Sequence, residues 1–193
     1  MLETEARERV LAAAEQLFAR KGYAAVTLRD IATEVGIRHT SLYHHVPGGK
    51  EEMFVEVTER HLKRHREGLT RAIQQAQPGI REQLFAAADW LLSQPPIDLL
   101  RMVLSDMPAI EPRHAERLSQ LALESMIQPI YNALEHAQQQ GQITQLDFGP
   151  IAGGILGMIE SFHAIPEPAL VKSRQEMAYV MIDALFNGLL PRP

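Results

Sequence analysis

The sequence has no cysteine, a single tryptophan and few aromatic residues of any kind, 6% of its 193 residues. The lack of cysteine excludes disulfides, thiolate zinc sites and cysteine nucleophiles, and it fits a reducing, cytoplasmic setting. No apolar run approaches the roughly 20 residues that span a bilayer, so no contact with a membrane is expected. The N-terminal stretch MLETEARERV is charged from the start and lacks the apolar core of a secretory signal.

The rest of the composition is that of a folded globular chain with an uneven distribution of charge. Hydrophobic residues make up 46% of the sequence, enough to form a core. The formal net charge is −5, but residues 1–66 carry +1 and five of the eight histidines, whereas residues 67–193 carry −6. Because an acidic surface repels a polyanion, any contact with nucleic acid is expected near the N-terminus.

Helical spacing of apolar residues dominates the sequence, which predicts an all-α fold of about nine helices. Gly22 should end the first helix, while Thr27 and Asp30 form a capping box at the start of the second, which Gly36 ends. Pro129 falls inside a long predicted helix, which it should kink or split. The helices are predicted at 4–21, 28–35, 39–45, 50–77, 80–93, 97–105, 112–140, 148–163 and 170–187.

The N-terminal helices predict a helix-turn-helix unit. Such a unit consists of a helix, a short turn and a second short helix, braced by a preceding helix. The second of the paired helices fits the major groove of B-DNA, where its exposed side chains meet base edges. In residues 36–52, GIRHTSLYHHVPGGKEE, Leu42 is the apolar anchor of the third helix and the other side chains are polar. We interpret this polar cluster as a surface that reads the groove.

The stretch TLRDIATEVGIRHTSLYHHVPGGKEEMF, within residues 5–60, resembles the TetR-like family of bacterial transcriptional regulators. The resemblance implies a DNA-binding domain at 1–50 and an effector-binding and dimerisation domain at 51–193, with a helix at 51–77 linking them. It implies a ligand-responsive repressor that binds a palindromic double-stranded DNA operator as a homodimer and is released by a small-molecule effector. No enzymatic activity and no cofactor are expected. The residues that match the family pattern are Thr27, Ile31, Ala32, Gly36, Leu42, Tyr43, Lys50, Glu51 and Glu52.

The resemblance also implies which side chains contact DNA. Arg38, Thr40 and Ser41 are the candidates for base contact, with an arginine on guanine carrying most of the discrimination. Thr27 would donate to a phosphate at the N-terminus of the second helix. The full set of predicted DNA contacts is Thr27, Arg29, Arg38, His39, Thr40, Ser41, Tyr43, His44 and Lys50.

Two departures from the family pattern occur in this region. Arg38 stands where a serine or threonine usually caps the third helix, and a lost cap costs about 1 kcal/mol. A broken local rule of this kind is expected at functional sites, which favours Arg38 as a DNA contact. The turn VPGGKEE is one residue longer than usual and has Val46 where an aromatic residue is common. The longer turn affects the placement of Lys50.

Apolar and amphipathic residues on the central helices are candidates for an effector pocket. At helical spacing such residues usually form core, but the resemblance implies that some line a cavity for an apolar or amphipathic small molecule. The candidates are Trp90, Met102, Met107, Met126, Tyr131, Phe162 and His163.

The last two helices carry a different signal, because PIAGGILGMIESF has three glycines among apolar residues. A glycine inside a helix costs about 1 kcal/mol relative to alanine, so three of them invite the close approach of another backbone. The resemblance implies a two-fold dimer built from these helices, with tight packing inside one protomer as the alternative. The predicted interface residues are Ile151, Gly154, Ile155, Met158, Met177, Val180, Met181 and Ala184.

Two other hypotheses stay open at this stage. His61 and His65 at i, i+4, and the Glu-x-x-His patterns that begin at Glu111 and Glu160, have spacings known from metal sites. We interpret the two histidines as solvated and expect no metal, but stoichiometric iron or zinc in the purified protein would support a metal enzyme. The second alternative is a DNA-binding activator or structural partner without an effector, which a reporter assay with and without ligands would test.

Overall fold

The structure is a computed structural model, and its fold is described here for residues 2–96 and 98–189. Every regular element in these ranges is helical, which confirms the predicted all-α class. None of the described helices is both long and apolar enough to cross a membrane. The helices are α1 Leu2–Ala25, α2 Leu28–Val35, α3 His39–His45, α4 Gly49–Gln75, α5 Ile80–Ser93, α6 Leu99–Arg101, α7 Pro112–Ala122, α8 Gln128–Gln139, α9 Phe148–Ser161 and α10 Arg174–Leu189.

The chain folds into two compact units that are interleaved along the sequence. The first unit comprises residues 1–63 and 98–121, and the second comprises residues 64–97 and 122–193. The chain passes from one unit to the other at three points, and two of these points fall inside helices, one in α4 and one in α7. Residues 98–121 thus belong to the same compact unit as the N-terminal helices, and that unit extends past the predicted domain boundary at residue 50.

Helices α1 to α3 pack around a small apolar core in the first unit. Val10, Ala14, Leu17 and Phe18 of α1 are all buried, as their helical spacing predicts. Leu42 of α3 is 1% exposed. Burying a leucine contributes about 2 kcal/mol, so this one side chain can anchor a short helix whose other residues remain polar.

The ends of α1 and α2 follow the signals in the sequence. Gly22, at φ 79°, is a non-helical kink that ends the main part of α1 and separates it from a last turn at residues 23–25. Gly36 ends α2 at φ 76°, and both glycines have positive φ angles that favour glycine. Thr27 and Asp30 form the predicted capping box. Because α2 is fixed at both ends, the position at which α3 begins is fixed relative to it.

Two helical segments contain π-helical turns that the apolar spacing does not predict. The helix predicted at 97–105 is α6 followed by the π turn Met102–Asp106, and residue 97 lies outside the described residues. The helix predicted at 112–140 is split into α7 and α8 by the π turn Leu123–Ile127, just before Pro129. The Gln128 N–H donates to the Leu123 carbonyl. The hydrogen-bond register thus shifts by one residue next to a proline that cannot donate.

A charged pair in the first unit, Arg101 and Asp106, satisfies backbone groups at the end of α1. Arg101 donates to the carbonyls of Phe18 at 3.3 Å and Ala19 at 2.7 Å. The Asp106 carboxylate, in a residue only 4% exposed, accepts the backbone N–H of Tyr23 at 2.8 Å. The Arg101 guanidinium lies 3.5 Å from the same carboxylate. The last carbonyls of a helix have no intrahelical partners, and Arg101 supplies a donor for two of them.

In the second unit, α10 packs on α5 through aromatic and charged contacts. The rings of Phe85 and Tyr179 stack with centroids 4.2 Å apart, and Tyr179 donates to Asp89 at 2.8 Å. Burial, followed by the hydrogen bond to the Asp89 carboxylate, raises the pKa of Tyr179 to about 12. Arg81 donates twice to Asp183, at 2.6 and 2.8 Å. These contacts occupy one face of α10.

The prediction that the last helix starts at Leu170 is wrong. Residues Glu167–Ala169 form a separate 3-10 turn, and α10 begins at Arg174. The Ser173 hydroxyl accepts the N–H of Glu176 at 3.2 Å, while the Glu176 carboxylate accepts the N–H of Ser173 at 2.9 Å. The stretch SRQE therefore carries a capping box that the apolar pattern alone does not reveal.

Candidate functional site

The outer face of α3 is a continuous polar surface. Tyr43 is 48% exposed, and the His39 ring meets it edge-on with centroids 5.4 Å apart. Leu42 points the other way, into the core. The side chains at this surface are Arg38, Thr40, Tyr43 and His44, which are exposed, and His39 and Ser41, which are half-buried.

Arg38 occupies the N-cap of α3 with an extended backbone, φ −69° and ψ 139°. Within the described part of the chain its side chain makes no capping hydrogen bond. The N–H of Ser41 donates instead to the backbone carbonyl of Arg38 at 2.9 Å. The Arg38 side chain does not cap the helix, so its exposed guanidinium is free to present its planar set of donors to a groove edge.

Thr27, by contrast, has its donors engaged by Asp30. Its backbone N–H and its hydroxyl donate to the same carboxylate oxygen at 2.8 and 2.7 Å. These two hydrogen bonds hold the pKa of Asp30 below its ordinary value, and the hydrogen bond from the hydroxyl has the larger effect. A phosphate at this helix N-terminus would have to compete with the Asp30 charge. The predicted phosphate contact of Thr27 thus requires an exchange of hydrogen bonds, whereas Arg29 next to it is exposed.

Lys50 lies over the ring of Tyr23, with its ammonium nitrogen 4.2 Å from the ring centroid. Partial burial lowers the pKa of Lys50. The next residue, Glu51, turns toward the start of α7, where it accepts the N–H of Glu111 at 2.9 Å and lies 2.7 Å from His114 Nδ1. The longer turn therefore places Lys50 in a cation–π contact at the first turn of α4.

Helices α1 to α3 are a helix-turn-helix unit of the DNA-binding class, and comparison with known proteins gives the same class. Residues 10–57 match the family model described as bacterial regulatory proteins, tetR family. The chain is 44% identical over 52 residues to the HTH-type transcriptional regulator LmrA of Bacillus subtilis (strain 168). That match spans 27% of this chain and 28% of the relative, little more than a quarter of its length. Both matches confirm the predicted resemblance of residues 10–57 to the TetR-like family of bacterial transcriptional regulators.

Solved structures share the fold over nearly the whole chain. AibR in complex with isovaleryl coenzyme A and operator DNA has a TM-score of 0.75 at 19% identity, over 94% of this chain and 98% of that one. A Saccharomonospora viridis protein in complex with choline has a TM-score of 0.75 at 21% identity, over 98% and 100%. The fatty acid degradation regulator FadR from Bacillus halodurans has a TM-score of 0.73 at 16% identity, over 97% of each chain. At these identities the likeness establishes the fold alone.

The predicted pocket residues divide between the two units. Met102 and Met107, each 7% exposed, belong to the first unit, and the other five belong to the second. Met126 is 1% exposed. His163 Nε2 lies 3.3 Å from the Leu91 carbonyl, and burial lowers the pKa of His163. The half-buried members of the set are Trp90, Tyr131, Phe162 and His163.

The predicted dimer residues lie mostly on an open face of α9 and α10. Val180 is 54% exposed and Met181 is 43% exposed. A Cβ added to Gly154 would meet no atom of the described chain within 4 Å. Ile155 is the exception, because at 1% exposed it packs in the core of its own protomer. The remaining predicted residues are Ala184, which is exposed, and Ile151, Met158 and Met177, which are half-buried.

The prediction that His61 and His65 are solvated is wrong. They are 8% and 0% exposed, because both lie on the buried face of α4. His61 Nδ1 is 2.8 Å from the Glu15 carboxylate, and the His65 ring meets Trp90 edge-on. Among the described residues, no three or more histidine, aspartate or glutamate side chains converge as they would around a metal ion. The i, i+4 spacing of these histidines thus reflects packing.

The Arg101–Asp106 pair is not predicted from the sequence. A signal for it is present, since Asp106 stands inside the mainly apolar run MVLSDMPAI. A carboxylate in such a run is expected to be buried, and a buried carboxylate needs a charged or hydrogen-bonding partner. The sequence does not identify that partner, because the N–H of Tyr23 lies 83 positions away in the chain.

Proposed function

We propose that this chain is a dimeric transcriptional repressor of the bacterial cytoplasm that binds an approximately palindromic operator and leaves it when a small molecule binds. The observation that carries this proposal is the polar outer face of α3, with Arg38 exposed at its N-terminus. The shared fold supports it, since AibR has been crystallised with both operator DNA and a small molecule.

In this proposal α3 enters the major groove and reads bases from its first turn. Arg38 makes a bidentate contact with guanine, and Thr40 and Ser41 reach neighbouring bases. Phosphate contacts position the helix without reading sequence. The residues proposed for these are Thr27, Arg29, His39, Tyr43, His44 and Lys50.

The distribution of charge supports the same orientation on DNA. Residues 1–66 carry a net charge of +1, whereas residues 67–193 carry −6. A duplex therefore repels the C-terminal part and leaves the N-terminal helices as the favoured point of approach.

Selection of DNA from a random-sequence pool tests the DNA-reading proposal directly. After several rounds with purified protein, we expect an inverted repeat whose half-site centres lie about 34 Å apart, one helical turn, or a multiple of it. Sequencing of the bound pool measures this. Bound DNA with no enriched sequence would contradict the proposed operator recognition, and enrichment of a single half-site would contradict the dimer.

The proposed dimer forms through the open face of α9 and α10. Tyr179 and Asp183 hold the other face of α10 on α5. Val180 and Met181, which lie beside them in the sequence, are exposed apolar side chains that a partner would cover. In a two-fold dimer the same patch contributes twice, so a small apolar face is doubled.

Val180→Asp is expected to convert the dimer to a monomer of 21.7 kDa. A charge buried without a partner at the interface should weaken association by about 3 kcal/mol or more, roughly 100-fold. Size-exclusion chromatography with light scattering measures the mass. Val171→Asp is the matched control, since Val171 is 89% exposed and lies outside the proposed face. Equal masses for the two variants would contradict the interface.

The effector part of the proposal is a shift between two conformers. In one conformer the spacing of the two α3 helices in the dimer no longer fits the operator, and a small molecule that binds this conformer more tightly releases the DNA. The free energy by which it weakens operator binding cannot exceed its difference in binding free energy between the two conformers. The pocket residues proposed for it in the second unit are Trp90, Met126, Tyr131, Phe162 and His163. A reporter gene behind the selected operator, with and without ligand, separates a repressor from an activator.

A further inference from the structure

In the second unit, the indole Nε1–H of Trp90 and the hydroxyl of Ser125 are buried with no hydrogen-bond partner among the described residues. Ser125 as a whole is 0% exposed. Buried polar atoms are nearly always hydrogen-bonded, because an unpaired one has lost its hydration without compensation. Two such atoms in one unit call for an explanation, and a ligand that pairs with them supplies one.

The position of Trp90 is fixed by α4. Its indole ring lies against Gly68, where a Cβ would overlap the ring, so the close approach requires glycine. The ring also meets the ring of His65 edge-on, with centroids 6.4 Å apart. Packing therefore sets the direction of the indole N–H before any ligand binds, which lowers the entropy lost on binding.

Ser125 belongs to a segment that an ion pair joins to the same part of α4. It lies in the π turn Leu123–Ile127, and π turns of this kind are frequent at functional sites. The preceding residue, Glu124, pairs with Arg66 at 3.6 Å. Arg66 belongs to the same helical turn, residues 65–68, on which Trp90 packs. Trp90 and the π turn thus both flank one turn of α4.

We propose that Trp90 and Ser125 are the polar contacts of the effector site, and that the effector is a small apolar molecule with a carbonyl oxygen. This inference rests on the proposed ligand-responsive function. An indole N–H can only donate, so its partner must be an acceptor, and a serine hydroxyl can also donate to a carbonyl oxygen. Pockets for small molecules are mostly apolar, and Met126, next to Ser125 in the chain, is itself buried at 1% exposed, so we infer a hydrocarbon body for the ligand.

Trp90 is the one tryptophan of the sequence, so the 15N-labelled full-length protein gives a single indole N–H cross-peak in NMR spectra. Three probes of similar size separate the possibilities: acetophenone only accepts hydrogen bonds, benzylammonium only donates them, and ethylbenzene does neither. We expect acetophenone to move the Trp90 cross-peak downfield in a saturable manner, with the other two causing shifts at least roughly three-fold smaller.

Ser125→Ala is expected to weaken acetophenone binding roughly five-fold, as the loss of one hydrogen bond predicts. It should not lower the Tm, because the hydroxyl it removes has no partner in the described structure. A serine with a purely structural role would lower the Tm instead. Ser161→Ala is the matched control, since the Ser161 hydroxyl already donates to the Met158 carbonyl at 2.6 Å. This control should titrate like the unmodified protein.

The inference is overturned if acetophenone gives no saturable shift, if all three probes shift the cross-peak equally, or if Ser125→Ala leaves the titration unchanged. The titration contains no DNA, so its outcome is separate from that of the operator experiment. If the protein binds the selected operator but acetophenone gives no saturable shift, the DNA-reading proposal stands and only the proposed effector chemistry is wrong. If acetophenone gives a saturable shift but no operator is selected, the ligand site stands and the DNA-reading proposal is wrong.

Discussion

Arg38→Ala is expected to weaken binding to the selected operator roughly 5- to 150-fold at moderate salt, since a bidentate arginine–guanine contact contributes about 1–3 kcal/mol of discrimination. The Tm should not change, because the Arg38 side chain is exposed and makes no capping hydrogen bond within the described residues. Fluorescence anisotropy with labelled operator and with scrambled DNA measures both the affinity and the specificity ratio.

Two further variants separate base reading from general attraction to phosphate. Arg38→Lys keeps the charge but not the planar pair of donors, so it should retain binding to scrambled DNA and lose most of the preference for operator. Lys172→Ala removes one charge from an exposed position in the second unit and should change neither. Operator affinity that is unchanged in Arg38→Ala would remove Arg38 from the proposed base contacts.

Asp106→Ala is expected to destabilise the protein by about 3 kcal/mol, because it removes the buried carboxylate beside Arg101 and leaves the Tyr23 N–H without an acceptor in a buried setting. For a chain of this length the loss corresponds to a fall in Tm of roughly 6–12 °C. Differential scanning calorimetry measures the change. Operator affinity should fall as well, since the backbone groups affected belong to α1, the helix that braces α2 and α3.

Asp98→Ala is the matched control for this effect. The Asp98 carboxylate caps α6 by accepting the Arg101 N–H at 2.9 Å, but the residue is exposed, so its loss should cost about 1 kcal/mol. Asp106→Asn keeps an acceptor for Tyr23 and should fall between the two. If Asp106→Ala and Asp98→Ala lower the Tm equally, the buried pair has no special role in holding the end of α1.

The N-terminal helices could be predicted from the sequence because local signals determine them. Gly22, Thr27 with Asp30, and Gly36 each fix a helix end through the backbone or side chain of a nearby residue, and all of them behave as their residue types predict. The start of α10 was also encoded locally, in Ser173 and Glu176. Apolar spacing alone placed it too early, because it registers the burial of side chains and not the capping of backbone groups.

Other features depend on contacts between residues distant in sequence, which local patterns do not contain. The sequence around His61 and His65 predicts solvent-exposed residues on a charged helix, yet both side chains are buried. The contact of Trp90 with Gly68 and the capping of α1 by Asp106 join separate helices. The candidate groove-reading face of α3 could be anticipated because Leu42 is its single strong apolar residue. The pocket residues could not be selected in the same way, since core and cavity walls share one composition.

The interleaving of the two units along the sequence limits how parts of this chain can be combined with parts of other proteins. A fragment of residues 1–63 would contain α1 to α3 but neither Arg101 nor Asp106, so the last carbonyls of α1 and the Tyr23 N–H would face solvent. Fusing that fragment to a sensor from another regulator would supply foreign residues at these positions. A working chimera would have to carry residues 98–121 along with the N-terminal helices, so its junctions belong inside α4 and α7 and just before α6.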